Sequence, residues 1–237
     1  MNRNLSFLVL CSILACSNAE VEQIYVEVPN NVIVPPEMAY IPEGEFVMGS
    51  PDAPRTAKGR KVFVKAFLID LFETSRGEYN LFQPNHPFNP KKKKFPISHV
   101  SYNDAKAFCK SKDKRLPTEA EWEKAARGPD GRKWPWKVYH QHPNNGFSGF
   151  LPEPVNKRQE WVSPYGLYGM GHNVWEWVSD WYYYQGMPEA KRKKLRVIRG
   201  GLTQTHLVIK FSPTWFRNYM RPNEKLNFIG FRCAKDS

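Results

Sequence analysis

The chain has 237 residues and a formal charge of +12, with 41% hydrophobic and 14% aromatic residues. Such a length and apolar content can bury a sizeable core and exclude a largely disordered chain. Twenty prolines and eight tryptophans disfavour a helical bundle and point to a loop-rich fold, and no internal repeat is visible.

The N-terminus, MNRNLSFLVLCSILACSNAE, places Arg3 before an apolar run over residues 5–15. At about 1.5 Å of rise per residue this run is too short for a hydrocarbon core of about 30 Å, so it reads as a secretory signal. Two cleavage sites compete. ILAC places Cys16 where a bacterial lipobox carries its lipid-modified cysteine, whereas SNA before Glu20 suits ordinary signal peptidase. The cysteine favours the first, giving a signal over 1–15 and lipid attachment at Cys16. Acylation with more than one chain would hold the protein stably on the membrane. Residues 16–36 lack periodicity and read as a flexible tether to a body over 37–236. The expected location is a bacterial cell envelope, lipid-anchored on the periplasmic side, with Ser17 suiting the outer membrane.

Two basic runs follow, KKKK at 91–94 and KRKK at 191–194. They read either as contacts for an anionic envelope polymer or as solvated loops. Neither a basic helical stripe nor an RNA-binding aromatic motif accompanies them, so nucleic acid is not an expected partner.

Two helices are legible in the middle of the chain. SYNDAKAFCKSK offers Ser101 as N-cap and Asp104 three residues on, with Ala105, Phe108 and Cys109 on one face. TEAEWEKAARG offers Thr118 and Glu121 as a capping box, Gly128 as the stop, and Trp122, Ala125 and Ala126 toward the core. In HNVWEW, alternation places Trp175 and Trp177 on one side of an extended segment and Glu176 on the other, on the plainest reading at the surface.

With Cys11 lost in the signal and Cys16 acylated, Cys109 and Cys233 remain as an even pair in an oxidising compartment. They are expected to form a disulfide worth about 4–5 kcal/mol in chain entropy before strain, the alternative being two separately buried thiols.

The wording of these segments is more informative than their periodicity. MAYIPEGEFVMGS, FPISHVSYNDAKAFCKSKDKRLPTEAEWEKAARG, GRKWPW, YGLYGMGHNVWEWVSDWY, RVIRGG and GFRCA occur in that order. Together they resemble the formylglycine-generating enzyme (sulfatase-modifying factor) family over roughly residues 37–236. The resemblance implies an α+β fold: a single loop-rich, C-type-lectin-like domain with few regular elements. It also implies pairing of the cysteines in AFC and GFRC, which independently supports Cys109 with Cys233.

Active members of that family oxidise a substrate cysteine to formylglycine with molecular oxygen and copper(I), held by two thiolates downstream of the paired glycines. Copper(I) is soft and requires such sulfur ligands. Aligned on Gly200 and Gly201, the two positions fall on Thr205 and Lys210, and a serine near the oxygen site is Leu202. Copper is therefore not expected, and no residue is assigned a catalytic role. The resemblance also implies a calcium site around HNVWEW, for which Val174 could offer its carbonyl and Glu176 its carboxylate. Gly169 stands at the usual Asp/Asn place and His172 at a glycine, which leaves calcium open but its ligand set degraded; a second family site near Asn144 and Asn145 does not align. His172, His206 and the pair His140 and His142 could in principle bind another metal, although no carboxylate sits at ligand spacing beside them.

The leading expectation is a non-catalytic lipoprotein using this domain as a binding or scaffold module, within an envelope protein assembly or on an anionic polymer. Trp181, Tyr182, Tyr183 and Tyr184 in DWYYYQGMP are its candidate partner contacts. The alternatives are a divergent oxidase or other metal-dependent enzyme of the family, and a ligand-display lectin-like protein.

Overall fold

A computed structural model describes residues 23–53, 57–136, 152–201 and 213–237. Cys16 and the signal segment, Thr205, Lys210, Leu202, His206, His140, His142, Asn144 and Asn145 all lie outside the described residues.

The architecture is α+β, with short elements separated by long connections. Four strands, β1 (Met38–Ile41), β2 (Gly44–Met48), β3 (Arg60–Val64) and β4 (Phe67–Asp70), precede three helices, α1 (Arg76–Phe82), α2 (Tyr102–Ser111) and α3 (Glu119–Arg127). Five strands follow: β5 (Trp175–Trp181), β6 (Arg196–Gly200), β7 (Arg217–Met220), β8 (Ile229–Gly230) and β9 (Ala234–Asp236). They form a β1-β4-β9 sheet, a β2-β3 hairpin and a β7-β6-β5-β8 sheet. The last strand therefore returns to pair with β4, through Ile69 opposite Ala234, and ties the two ends of the body together.

Among the described residues, α1, α2 and α3 each begin with a reciprocal capping box: Ser75 with Glu78, Ser101 with Asp104, and Thr118 with Glu121. Each satisfies amide donors that an unbonded first turn would waste. Gly128 ends α3 at φ +68°, and a Cβ there would also lie 2.7 Å from Pro164, so both backbone and packing require glycine. The first helix, whose seven residues carry too little periodicity to stand out, was not anticipated from the sequence.

Two apolar clusters sit on opposite faces of β5. Trp175, Trp177 and Ile198 pack with Tyr79, Phe108 and the cysteines. Val178 and Val197 face Trp122, Ala125 and Ala126 of α3. Alternation along β5 thus serves two cores, and the strand is buried on both sides. Cys109 and Cys233 are joined across 124 residues, fixing α2 to the segment before β9.

The segment expected as a free tether is not wholly free. Ile24 donates its amide to Pro164 O at 3.0 Å, and Val26, Val32 and Val34 pack against Met38, Tyr40 and Leu68. These apolar side chains rest on the β1-β4 surface. Among the described residues no helix is long and apolar enough to cross a membrane.

Candidate functional site

Glu176 is not a surface carboxylate. It is fully buried, with Oε1 2.7 Å from Arg232 Nη2 and Oε2 2.8 Å from Arg232 Nε. The indole Nε1 of Trp122, brought in by α3, donates to the same Oε2 at 2.8 Å. The even-numbered side of β5 faces α3, so alternation alone turns this carboxylate inward; the bidentate guanidinium is what makes the burial tolerable.

A second buried acid lies beside it. Glu73, in the connection after β4, accepts at Oε2 from Asn173 Nδ2 at 2.8 Å, while its Oε1 has no partner among the described residues. Burial, and then the neighbouring Glu176, hold the Glu73 carboxyl well above the usual carboxylate range despite Arg232. Asn173 adopts φ +74°, a left-handed conformation that asparagine tolerates, and its Oδ1 is also spent, accepting from the Glu153 amide at 2.9 Å.

The degraded calcium ligand set that the resemblance left open at Val174 and Glu176 does not fit this geometry. Both Glu176 oxygens are occupied by Arg232 and Trp122, and the Asn173 amide oxygen by Glu153. Gly169 supplies no side chain, and a Cβ built on it would lie 2.7 Å from Glu73 Cδ, so Glu73 occupies the room a ligand at 169 would need. A cation requiring six to eight oxygens finds too few, with the Arg232 guanidinium already there. Among the described residues the two cysteines, Cys109 and Cys233, are joined to each other and offer no thiolate pair. His172 sits in an aromatic corner, edge-on to Trp161 at 5.0 Å and 6.2 Å from Trp136. Among the described residues no group of three or more His, Cys, Asp or Glu side chains could hold a metal ion.

The second arrangement is open to solvent. A groove of about 200 Å³ is lined by Lys58, Arg60, Glu119, Asp180, Tyr183 and Arg217, with Trp181, Arg199 and Trp215 beside them. Its floor is a chain of ion pairs running from α3 to β6 and β7. Arg199 bonds Glu119 at 2.9 Å and Glu123 at 2.8 Å, and Arg217 bonds the other Glu119 oxygen at 2.8 Å. Glu123 also accepts from the Gly49 amide at 2.6 Å, and Arg127 reaches the Val47 and Gly49 carbonyls, so the hairpin is sewn to the helix. This network holds the end of β6, where the paired glycines stand.

Asp180 lies two residues beyond Val178 on the same face of β5. Its Oδ2 accepts from the Glu119 amide at the start of α3, at 2.6 Å. Burial pushes its carboxyl upward, opposed by that amide. Trp181, on the other face, stacks on the Arg196 guanidinium at 3.5 Å, which is sandwiched against Tyr102 at 4.0 Å. Tyr182 lies 4.3 Å from Tyr219 with Arg217 over its ring at 4.8 Å. Tyr183 is 48% exposed and carries Arg192, from the second basic run, 5.6 Å above its ring.

The four aromatics singled out in the sequence therefore divide. Trp181 and Tyr182 are held by cations of the body, Tyr184 packs near Tyr182 at 6.2 Å, and Tyr183 presents a ring to solvent. Sequence reasoning missed Glu73, Arg232 and Asp180. GFR announced Arg232 as wording only, and nothing local signals that Glu73 and Glu176 meet across about a hundred residues of chain. A cavity of about 600 Å³ beside the disulfide is also lined by charges, but there Lys114 is bound to Asp70 at 2.7 Å and Glu78 to the Ser75 cap.

A family profile described as the sulfatase-modifying factor enzyme 1-like domain matches residues 26–237. Relatives include a formylglycine-generating enzyme of Bos taurus, 28% identical over 85% of this chain and 75% of that protein. An inactive C-alpha-formylglycine-generating enzyme 2 of the same organism is 29% identical over 83% of this chain and 87% of that protein. Among solved structures, PvdO from Pseudomonas aeruginosa has a TM-score of 0.66 at 23% identity, over 90% of this chain and all of that one. Treponema denticola variable protein 1 has a TM-score of 0.68 at 20% identity, over 84% of this chain and 95% of that one.

Proposed function

The chain belongs to the sulfatase-modifying factor enzyme 1-like domain family, and from that premise we propose that it is a non-catalytic member, a binding or scaffold module held on a bacterial cell envelope. One observation carries the reading. The cysteines of the body are consumed in a structural disulfide, and the positions that align with the copper ligands hold Thr205 and Lys210. Without a thiolate pair the oxidation has no seat for its metal. That an inactive relative matches about as well as an active one is consistent with this reading. Lipid attachment at Cys16 would place the body at a membrane surface, with the groove and Tyr183 as the contact face toward an envelope assembly or anionic polymer.

The test is direct. The purified chain, supplied with copper(I), oxygen and a cysteine-bearing peptide, is expected to yield no aldehyde by mass spectrometry and to retain no stoichiometric copper. Chelator-sensitive aldehyde formation would overturn the proposal in favour of a divergent oxidase.

A further inference from the structure

The groove differs from the buried acid cluster in having chemistry left over. Glu119 and Glu123 are spent on Arg199, Arg217 and the Gly49 amide. Lys58 and Arg60 line the same groove and form no ion pair among the described residues. Arg199 Nε and Arg217 Nε are buried donors without a partner among those residues. Asp180 commits one oxygen to the start of α3. Around these lie the rings of Trp181 and Tyr183.

At about 200 Å³ the groove is smaller than the drug-sized pockets of about 300–1,000 Å³ and suits a single ring-sized unit. Its neighbourhood is extended and positive. Arg192 lies over Tyr183, and residues 191–194 are all exposed. The Arg192 amide closes a local turn onto Glu189 O at 2.9 Å, and its guanidinium over the Tyr183 ring sets this basic run beside the groove.

We propose that the groove and this ledge bind an acidic polysaccharide, one sugar ring seated against Tyr183 while carboxylates of neighbouring units meet the cations at 58, 60 and 191–194. The assignment rests on the reading of the chain as a binding module and names its ligand class. Three features select this ligand. An aromatic ring accepts the apolar C–H face of a sugar. The second Asp180 oxygen and the exposed Lys58 and Arg60 donors match ring hydroxyls, which both donate and accept. Exposed cations outside the groove favour a polymer whose charges repeat beyond the seated unit, and make binding fall with salt.

The experiment titrates the purified chain with oligogalacturonate, its methyl-esterified neutral form, poly-glutamate and oligo-thymidylate, following tryptophan fluorescence and calorimetry. Oligogalacturonate is expected to bind with salt-sensitive affinity, at least tenfold tighter than the other three. Tyr183→Ala, and separately Lys58→Glu with Arg60→Glu, should each weaken it tenfold or more while thermal midpoints stay within about 2 °C. Equal binding of the esterified form, tighter binding of poly-glutamate or oligo-thymidylate, no binding of oligogalacturonate, or unchanged affinity in both variants overturns the proposal. If no probe binds and no aldehyde forms from a cysteine-bearing peptide, the ligand class falls alone. Aldehyde formation removes the non-catalytic reading beneath it.

Discussion

Two regions of this molecule use the same pair of groups, guanidinium and carboxylate, to different ends. Around Glu176 the arithmetic closes: two carboxylate oxygens meet three donors from Arg232 and Trp122, and none of these groups reaches solvent. In the groove, Arg199, Arg217 and the Gly49 amide engage the oxygens of Glu119 and Glu123, yet Lys58, Arg60 and the ring of Tyr183 remain at the surface. A closed cluster serves the fold and resists a ligand; a cluster with unspent groups at its rim can recognise one. Exposure, more than residue type, separates the two roles.

The comparison is broken most severely by opening the closed cluster. Arg232→Met strands Glu176 in the core and should cost about 3–5 kcal/mol, read from chemical denaturation. Adding Glu176→Leu should restore most of that loss, because the penalty lies in the uncompensated charge. A single variant near wild type would show that the cluster is not sealed.

A smaller effect comes from pH. The Glu73 carboxyl lies above its ordinary range when folded, so between the unfolded and folded values the folded chain binds the extra proton. Stability is greatest below the unfolded value and declines as pH rises through that window, by about 1.4 kcal/mol per pH unit at most for one group. Burial raises the carboxyls of Asp70 and Asp180 as well, with the same sign. Denaturant midpoints from pH 5 to 8 should fall with pH, and Glu73→Gln should flatten the slope without abolishing it. An unchanged slope in that variant would place the titration elsewhere.

The smallest effect belongs to the open region. Tyr183→Ala removes a ring that is 48% exposed and should change stability by no more than about 0.5 kcal/mol. A loss several times larger would mean that the ring is cover for the fold rather than a contact surface, and would move the groove into the same class as the closed cluster.

Much of this was legible from local rules. The caps at Ser101 and Thr118, the stop at Gly128, the inward faces of α2 and α3 and the pairing of Cys109 with Cys233 all stand where the residues placed them. Each depends on neighbours within one turn of helix or, for the cysteines, on a count in an oxidising compartment and the family wording. Glu176 was misplaced for the opposite reason. Alternation correctly separated it from Trp175 and Trp177, but assigning that side to solvent assumed a sheet covered on one face only.

By itself, the sequence determined α2, α3 and the family, since these follow from short-range pattern and residue identity. Only the tertiary structure decided that Arg232 meets Glu176, that Glu73 fills the space beside Gly169, and that the second basic run lies over Tyr183. Those contacts join residues tens of positions apart or depend on how a loop folds back. Burial and charge compensation there are set by the packing of whole elements, which no local pattern encodes.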